Sequence, residues 1–470
     1  VGLVGLVGLV ALLASAGLAL RPTAARAADP DASKISLATS ATRLDNGLEL
    51  VLHEDHRTPI VAVEVWYHVG SKDEPAGRQG FAHLFEHLMF QGSKHVPEDT
   101  YFRFLERAGA TNVNGTTSED RTNYFETVPK NRLDLALWLE SDRMGFLLEH
   151  VDEQTFAGQR EVVKNERRQN YENAPYGMVP RFVAEALYPP AHPYHHLTIG
   201  SPEDLDAATL QDVRQFFRTW YVPGNATLVI AGDIDPQATR ALVDKYFGPI
   251  PKGPQPERVA VAGAPITAVS LTGETRLEVE AGVELPRVVL AWPSPAFFAQ
   301  GDADLDLLAR VLAGGKTSRL YKRLVYDDQI AQDVSAYQES AQLGSAFKVI
   351  ATAKPGHTPE ELLAAIDAEI AKVRAASPSD AELARARATF LSREAFSLER
   401  VGTRADVIST YVHYLGDPGY LPKDLARYES ATPDSVRDAA RSWLPADKRL
   451  VVMVRAVKGA PLSGRLKGAP

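Results

Sequence analysis

Residues 81–89 read Phe-Ala-His-Leu-Phe-Glu-His-Leu-Met, and this stretch decides the fold that we predict. Its apolar residues recur at i, i+3, i+4, i+7 and i+8, which predicts a helix with one face in a core. They are Phe81, Leu84, Phe85, Leu88 and Met89. At about 100° per residue, His83, Glu86 and His87 fall on the opposite face of this helix. The sequence therefore places two imidazoles and one carboxylate on a shared polar face.

The two histidines have the spacing of a metal-binding pair. His83 and His87 are four residues apart, so their rings lie one above the other and can reach one ion. The order His-x-x-Glu-His is the inverse of the His-Glu-x-x-His arrangement of many zinc proteases. Glu86 lies at the edge of the same face, where it can accept a proton from a metal-bound water. A solvated helix face that carries two histidines by chance is the alternative, and a third ligand is needed to decide between them.

Composition excludes several classes of function. With 470 residues, the chain is too long for one ordinary core, so two or three domains are expected. A net charge of −9 and the lack of a long basic run give no indication of nucleic-acid binding. The sequence contains no cysteine, which excludes disulfides, thiolate metal sites and a cysteine nucleophile. Histidine and carboxylate side chains remain as candidate metal ligands.

The first 27 residues have the pattern of an export signal. Residues 1–20 are apolar or small and carry no charge, and Ala25-Arg26-Ala27 fits an A-x-A cleavage site. We predict that residues 1–27 are a signal peptide and that the mature protein is periplasmic. A retained membrane anchor is the alternative, because residues 1–20 are long enough to cross a bilayer.

The rest of the chain divides at a segment rich in proline. Residues 249–265 hold five prolines and two glycines, the composition of an interdomain linker. We predict an N-terminal zinc-binding domain at 36–250, a linker at 251–265 and a homologous C-terminal domain at 266–460. In both halves strands precede helices, and Asn225–Ile230 is placed like Lys448–Met453. The predicted fold class is α+β, with two homologous domains that each carry helices on a mainly antiparallel sheet.

Local patterns predict the individual elements. They are a hairpin turn at Asn46-Gly47, strands at 60–69, 122–128, 226–231, 276–283, 287–292 and 449–457, and helices at 81–89, 98–108, 132–148, 153–171, 236–247, 303–313, 359–375, 380–401 and 433–443.

A third candidate ligand ends the segment 159–166, Gln-Arg-Glu-Val-Val-Lys-Asn-Glu. Glu166 lies 79 positions after His87. Together with the His-x-x-Glu-His motif, this segment resembles the pitrilysin/insulinase superfamily of zinc peptidases, which includes mitochondrial processing peptidase and bacterial periplasmic members. The resemblance implies one zinc ion per chain, held by His83, His87 and Glu166. It also implies that Glu86 is the general base for a zinc-bound water and that the two domains form half of a clamshell.

The same resemblance implies that a peptide substrate binds as an added strand at an edge of the N-terminal sheet. Asn114, Tyr124 and Phe125 are the candidate substrate-binding residues, within or near the predicted strand 122–128. For Tyr124, packing inside an ordinary core strand is the alternative. An enclosed chamber of this kind favours peptides and unfolded segments over folded proteins.

The sequence departs from the family pattern at two places. Gln159 stands where the family carries a further glutamate that supports the site. Its neutral amide cannot supply the negative charge of that glutamate. Val325 and Gln332 stand where the C-terminal domain of the family carries an arginine and a tyrosine that reach across to the active site. Without those donors, the developing oxyanion lacks part of its support. We therefore predict a heterodimer in which a homologous subunit supplies the Arg/Tyr pair, and we favour it over a homodimer.

The function predicted from these residues is that of a zinc metallopeptidase. A non-catalytic scaffold or binding subunit of the same fold is one alternative. A metal-binding protein without proteolytic activity is another, although such a protein would not need Glu86 beside the ligands.

Overall fold

The computed structural model describes residues 35–256 and 269–468. The predicted signal peptide, residues 1–27, lies outside the described residues, as do residues 257–265 of the predicted linker. Within the described ranges, no helix combines the length and the apolar character that crossing a bilayer requires.

The first half of the described chain forms a six-stranded sheet. Its strands are β1 (Ser40–Arg43), β2 (Glu49–Glu54), β3 (Ile60–Tyr67), β4 (Thr111–Thr117), β5 (Thr122–Pro129) and β6 (Ala226–Gly232). They lie in the order β1-β2-β6-β3-β5-β4, and neighbours are antiparallel except β2 and β6. The predicted turn at Asn46-Gly47 joins β1 to β2, where Gly47 has a φ of 91° that suits glycine.

The second half forms another six-stranded sheet. Its strands are β7 (Thr275–Ala281), β8 (Arg287–Ser294), β9 (Ala331–Glu339), β10 (Ser345–Ala353), β11 (Leu450–Ala456) and β12 (Arg465–Leu466). They lie in the order β12-β7-β11-β8-β10-β9, and β7 runs parallel to β11.

The two sheets repeat one topology. Strands β2, β6, β3, β5 and β4 of the first sheet correspond in order to β7, β11, β8, β10 and β9 of the second. The parallel pair occupies the same place in both sheets. The predicted fold class is therefore confirmed, and the predicted correspondence between the strands that became β6 and β11 is correct.

Helices cover the faces of both sheets. They are α1 (Phe81–Leu88), α2 (Tyr101–Arg107), α3 (Leu133–Phe146), α4 (Glu153–Arg167), α5 (Val179–Leu187), α6 (Pro202–Ala207), α7 (Leu210–Trp220), α8 (Pro236–Phe247), α9 (Asp302–Ala313), α10 (Pro359–Ala375), α11 (Asp380–Ser397), α12 (Val401–Leu415), α13 (Leu421–Glu429) and α14 (Pro433–Trp443). One π-helical turn, Arg168–Glu172, continues α4, and a second spans Tyr321–Asp327.

Two helices pack across the halves. Helix α5 precedes the second sheet in sequence, yet its apolar residues join a core cluster with β7, β8 and β11. Helix α12 follows most of the second sheet, yet it packs on β2, β3 and β6 of the first. Each half therefore contributes a helix to the core of the other.

The helix predicted at 380–401 is confirmed as α11 but ends at Ser397, and a separate helix, α12, begins at Val401. Arg404 on α12 donates hydrogen bonds to the carbonyls of Leu398 and Glu399, where α11 ends. The same guanidinium also forms an ion pair with Asp55 of the first half. These bonds satisfy carbonyls at the end of α11 and let α12 turn onto the first sheet.

Candidate metal centre

Helix α1 packs its apolar stripe into the core of the first half, as the sequence predicts. Phe81, Leu84, Phe85 and Leu88 are at most 1% exposed. The ring of Phe85 stacks on that of Tyr221, with the centroids 4.9 Å apart. This packing leaves the face with His83, Glu86 and His87 turned towards α4 and β4.

Glu166 on α4 lies opposite the two histidines of α1. Its Oε2 is 3.2 Å from His87 Nε2 and 3.6 Å from His83 Nε2. One ligand atom from each of the three residues lies within 4.8 Å of the other two. In a tetrahedral site with bonds of about 2.0–2.1 Å, ligand atoms lie about 3.3 Å apart. The distances from Glu166 match this spacing, so the three side chains fit one zinc ion.

Two of these side chains are held in the protonation states that zinc requires. Burial lowers the pKa of His83 to about 4, so its imidazole is neutral at neutral pH. Its Nδ1 is buried and has no hydrogen-bond partner in the described part of the chain. A hydrogen bond with His87 lowers the pKa of Glu166, which favours the carboxylate. Neutral imidazole and ionised carboxylate are the forms that bind a metal ion.

Glu86 lies between the ligand face and the edge of the first sheet. Burial raises its pKa, and a hydrogen bond from Thr117 opposes this shift. Thr117 Oγ1 donates to Glu86 Oε2 over 2.7 Å. A Cβ atom at Gly115 would lie 3.1 Å from Glu86 Cγ, so β4 approaches the carboxylate closely because this residue is glycine. Glu86 is therefore a half-buried, oriented carboxylate, and its Oε1 has no hydrogen bond in the part of the chain that the structure describes.

The predicted substrate-binding residues lie on two faces of the sheet. Tyr124 pairs with Gly115 and is fully buried, and its hydroxyl donates to the Phe85 carbonyl. Tyr124 is therefore a core residue, and we do not retain it as a substrate contact. Asn114 pairs with Phe125, so both side chains point to the other face of the sheet.

A cavity lies on that other face, between the sheet and α12. Its volume is 390 Å³, and Thr116, Phe125 and Asp406 are among the residues that line it. The cavity adjoins β4, which is one of the two edge strands of the first sheet.

An aromatic patch borders the face that carries Glu86. The ring of Phe90 stacks on that of Phe102 at 4.7 Å, and Phe102 is 41% exposed. Phe90 also approaches Gly115, where a Cβ atom would lie 3.1 Å from its ring. An apolar side chain of a ligand could therefore rest beside Glu86 on this patch.

The three positions that depart from the family pattern are Gln159 on α4, Val325 and Gln332. The side chain of Gln159 on α4 forms no hydrogen bond within the described ranges, whereas Asn170 Nδ2 lies 3.4 Å from Glu166 Oε1. Val325 packs against the core of the second half, and Gln332 is exposed on β9.

Sequence reasoning missed Thr117, Gly115 and Asn170. A glycine within a polar strand often marks a close approach, and this signal could have identified Gly115.

Two family models match consecutive parts of the chain. Residues 49–197 match the model described as insulinase (peptidase family M16), and residues 207–390 match the one described as peptidase M16 inactive domain. His83, His87 and Glu166 all fall within the first of these matches.

Curated relatives have similar lengths. The chain is 31% identical over 384 residues to the zinc protease PqqE of Helicobacter pylori, which covers 79% of this chain and 82% of that protein. It is 23% identical over 420 residues to a mitochondrial-processing peptidase subunit beta of Arabidopsis thaliana, covering 86% of this chain and 76% of that one.

Solved structures have the same fold. A protease from Helicobacter pylori matches with a TM-score of 0.81 and 27% identity, over 89% of this chain and 100% of that one. The periplasmic protease PqqL of Escherichia coli matches with a TM-score of 0.72 and 18% identity, over 90% of this chain but 48% of PqqL. Sequence, fold and relatives agree, and the chain belongs to the insulinase (M16) peptidase family.

Proposed function

We propose that this protein is a zinc metallopeptidase that hydrolyses peptide bonds in peptides and unfolded segments. The observation that carries the proposal is the convergence of His83, His87 and Glu166, with Glu86 on the same helix face. Two imidazoles and one carboxylate are one of the ligand sets of catalytic zinc sites, which keep a fourth position open. Relatives named zinc proteases support the same assignment.

The residues of the chain have separate roles in this reaction. His83, His87 and Glu166 hold one zinc ion, which when bound polarises the scissile carbonyl and lowers the pKa of water. Glu86 accepts the proton of the attacking water on Oε1, because Oε2 already accepts the Thr117 hydroxyl. The protonated carboxyl then gives this proton to the leaving amine.

The edge strand β4 explains the preference for unfolded substrates. An extended peptide can add to its outer edge through main-chain hydrogen bonds. Its side chains would alternate between the patch of Phe90 and Phe102 and the 390 Å³ cavity beside Phe125. A folded protein cannot present a free extended strand in this way.

We infer that a homologous subunit completes the site. Val325 and Gln332 provide neither a guanidinium nor a phenol where the family pattern has them. PqqL is about twice as long as this chain, and its first half alone matches this fold with a TM-score of 0.70. PqqL therefore carries about as much chain again beyond the part that matches this fold, which supports a second unit here. The name of the Arabidopsis relative, a subunit beta, supports the same arrangement.

We propose a periplasmic location. The A-x-A pattern at residues 25–27 supports export, and the name of the structural relative PqqL, a periplasmic protease, supports the same compartment.

The test compares native and reduced, alkylated lysozyme as substrates for the full-length, zinc-loaded protein co-expressed with a homologous subunit that carries the Arg/Tyr pair. We expect cleavage of the unfolded form only. Glu86→Gln should bind zinc normally and lose about 10²- to 10⁴-fold in rate, the usual contribution of a general base. Glu106→Gln, at an exposed position of α2, is the matched control. Equal rates for Glu86→Gln and the control would contradict the proposal.

A non-catalytic subunit of the same fold is the second candidate. The loss of the Arg/Tyr pair at Val325 and Gln332 favours it. Cleavage assays with and without a co-expressed homologue that carries the pair separate the two. Cleavage that depends on Glu86 of this chain supports the peptidase, and cleavage that is indifferent to Glu86→Gln supports the scaffold.

A further inference from the structure

A buried carboxylate holds the start of the helix that carries both histidines. The side chain of Glu74 has no exposed surface. Its Oε2 accepts the Gly80 N–H at 2.9 Å, and its Oε1 accepts the Ala82 N–H at 2.8 Å. The residue before α1, Gly80, provides no side-chain cap of its own. Glu74 therefore satisfies free N–H groups in the first turn of α1, one residue before His83.

The loop after α5 packs directly on this helix start. Gly200 has a φ of 73°, and a Cβ atom there would lie 2.4 Å from Gly80 Cα. The loop is tied to the residue before Gly80 as well, because Asp204 Oδ2 accepts the Gln79 N–H at 2.9 Å. No side chain larger than hydrogen fits at Gly200, so the loop lies directly against the start of α1.

The same loop is bonded to the helix that carries the third ligand. Arg167 follows Glu166 on α4, is 5% exposed and donates a hydrogen bond to the Gly200 carbonyl. Its Nε also bonds Glu172 Oε1 at 2.9 Å, which holds the guanidinium in place. A short chain of contacts thus runs from Glu166 through Arg167 and Gly200 to Gly80.

Among the described residues, Asn170 bonds Glu166 at 3.4 Å, but His83 lacks a comparable support. Ligating histidines usually donate their second ring nitrogen to a carboxylate or carbonyl, which fixes the ring. His83 Nδ1 has no such partner. Gln159, at the position of the family's supporting glutamate, bonds nothing in the same residues. The orientation of the ligands therefore depends on how firmly α1 and α4 are held relative to each other.

We propose that Glu74 and Arg167 are positioning residues of the metal centre. Glu74 fixes the first turn of α1, and Arg167 fixes α4 against the loop that packs on that turn. Together they set the 3.2 Å and 3.6 Å distances from Glu166 to the two histidines. Bonds from zinc to its ligands stay within about 0.2 Å of their usual lengths, so small shifts of either helix weaken binding. The inference rests on the proposed zinc site and does not require peptidase activity.

The experiment measures zinc affinity by competition with a chelator, using the full-length protein. Arg167→Met removes the bond to the Gly200 carbonyl, and Arg168→Met, at the exposed neighbouring residue, is its control. Glu74→Gln places an amide donor against one N–H, and Glu161→Gln, at an exposed glutamate of α4, is its control. We expect the zinc dissociation constant to rise by about 10- to 100-fold in Arg167→Met and Glu74→Gln, as for other residues that support ligands.

A second measurement separates positioning from general stability. The visible absorption of the cobalt-substituted protein reports ligand geometry, and it should change in both variants and not in the controls. Arg167→Lys, which keeps a donor for the Gly200 carbonyl, should restore most of the zinc affinity. If Arg167→Met does not fold, the zinc affinity and cobalt spectrum of Glu74→Gln test the positioning role, because the amide keeps the volume of the side chain.

The outcomes distinguish this inference from the proposed function. Wild-type zinc affinity and cobalt spectra in both variants would overturn the positioning role, even if the protein is an active peptidase. Weakened zinc binding in both variants would support it, even if the wild-type protein cleaves no substrate.

Discussion

Replacement of Thr117 by valine removes one hydrogen bond to Glu86 and keeps the shape of the side chain. Thr117 Oγ1 donates to Glu86 Oε2 at 2.7 Å. A hydrogen bond to a charged group contributes about 1.5–3 kcal/mol. If this bond orients the base during the reaction, its loss lowers kcat/KM by about 10- to 150-fold, at about 1.36 kcal/mol for each factor of ten. Zinc binding should not change, because Thr117 is not one of the three ligand residues.

The pH profile of this variant should move in one direction. Burial raises the pKa of Glu86, and the Thr117 hydrogen bond lowers it. Without Thr117, the pKa of Glu86 rises further. A general base acts in its deprotonated form, so the acidic limb of the kcat/KM profile moves to higher pH. The loss of rate is therefore larger at acidic than at neutral pH.

The assay is cleavage of a fluorogenic peptide across a pH series by the zinc-loaded protein together with the homologous subunit. Thr111→Val, at the exposed start of β4, is the matched control. An unchanged rate and an unchanged acidic limb in a folded, zinc-loaded Thr117→Val protein would refute the role of Thr117. Loss of zinc from this variant would instead assign its effect to the metal site.

Further predictions concern the metal, the cavity and the contact between the halves. Removal of zinc by a chelator should abolish cleavage and lower the melting temperature, and zinc at about 100 times its Kd should restore about 2.7 kcal/mol of stability in a thermal scan. Phe125→Ala enlarges the 390 Å³ cavity and should raise KM with little change in kcat. Phe396→Ala, at an exposed residue of α11, should leave KM unchanged. A change in kcat without a change in KM would contradict this placement of the substrate. Arg404→Met breaks the partly buried pair with Asp55 and should lower the free energy of unfolding in urea by about 2–4 kcal/mol. Arg393→Met, at an exposed residue, should have little effect. Equal unfolding midpoints for these two variants would mean that the contact adds nothing to stability.

The metal centre could be predicted from the sequence because its residues lie on helices. The spacing of apolar residues in α1 determines which face His83, Glu86 and His87 occupy, and the structure keeps that face free of the core. Glu166 lies far away in sequence, and its pairing with the histidines came from the resemblance of its segment to a known motif. Periodicity alone would have left it one acidic residue among many.

The surroundings of Glu86 could not be predicted because they lie on a polar edge strand. Strand β4 reads Thr-Asn-Val-Asn-Gly-Thr-Thr and lacks the alternation of apolar residues that identifies a strand. Its role comes from main-chain pairing with β5, which side-chain patterns do not record. Thr117 and Gly115 were missed for this reason.

Helix exchange between the halves was also invisible in the sequence. The apolar faces of α5 and α12 indicate burial but do not indicate which sheet covers them. The break between α11 and α12 depends on Arg404 bonding to Asp55, a residue 349 positions away. Helix α7, by contrast, could have been found, because Thr209 and Asp212 form a capping box at its start.

The central claim is that two histidines and a distant glutamate hold one zinc ion beside a general base. Native mass spectrometry and peptide cleavage, measured side by side on the wild type, Glu166→Gln and Glu86→Gln, test it most directly. The account predicts one zinc ion per chain for the wild type and for Glu86→Gln, and weakened zinc binding for Glu166→Gln. Of the three proteins, only the wild type should cleave the peptide. Tight zinc binding by Glu166→Gln, or undiminished cleavage by Glu86→Gln, would contradict it.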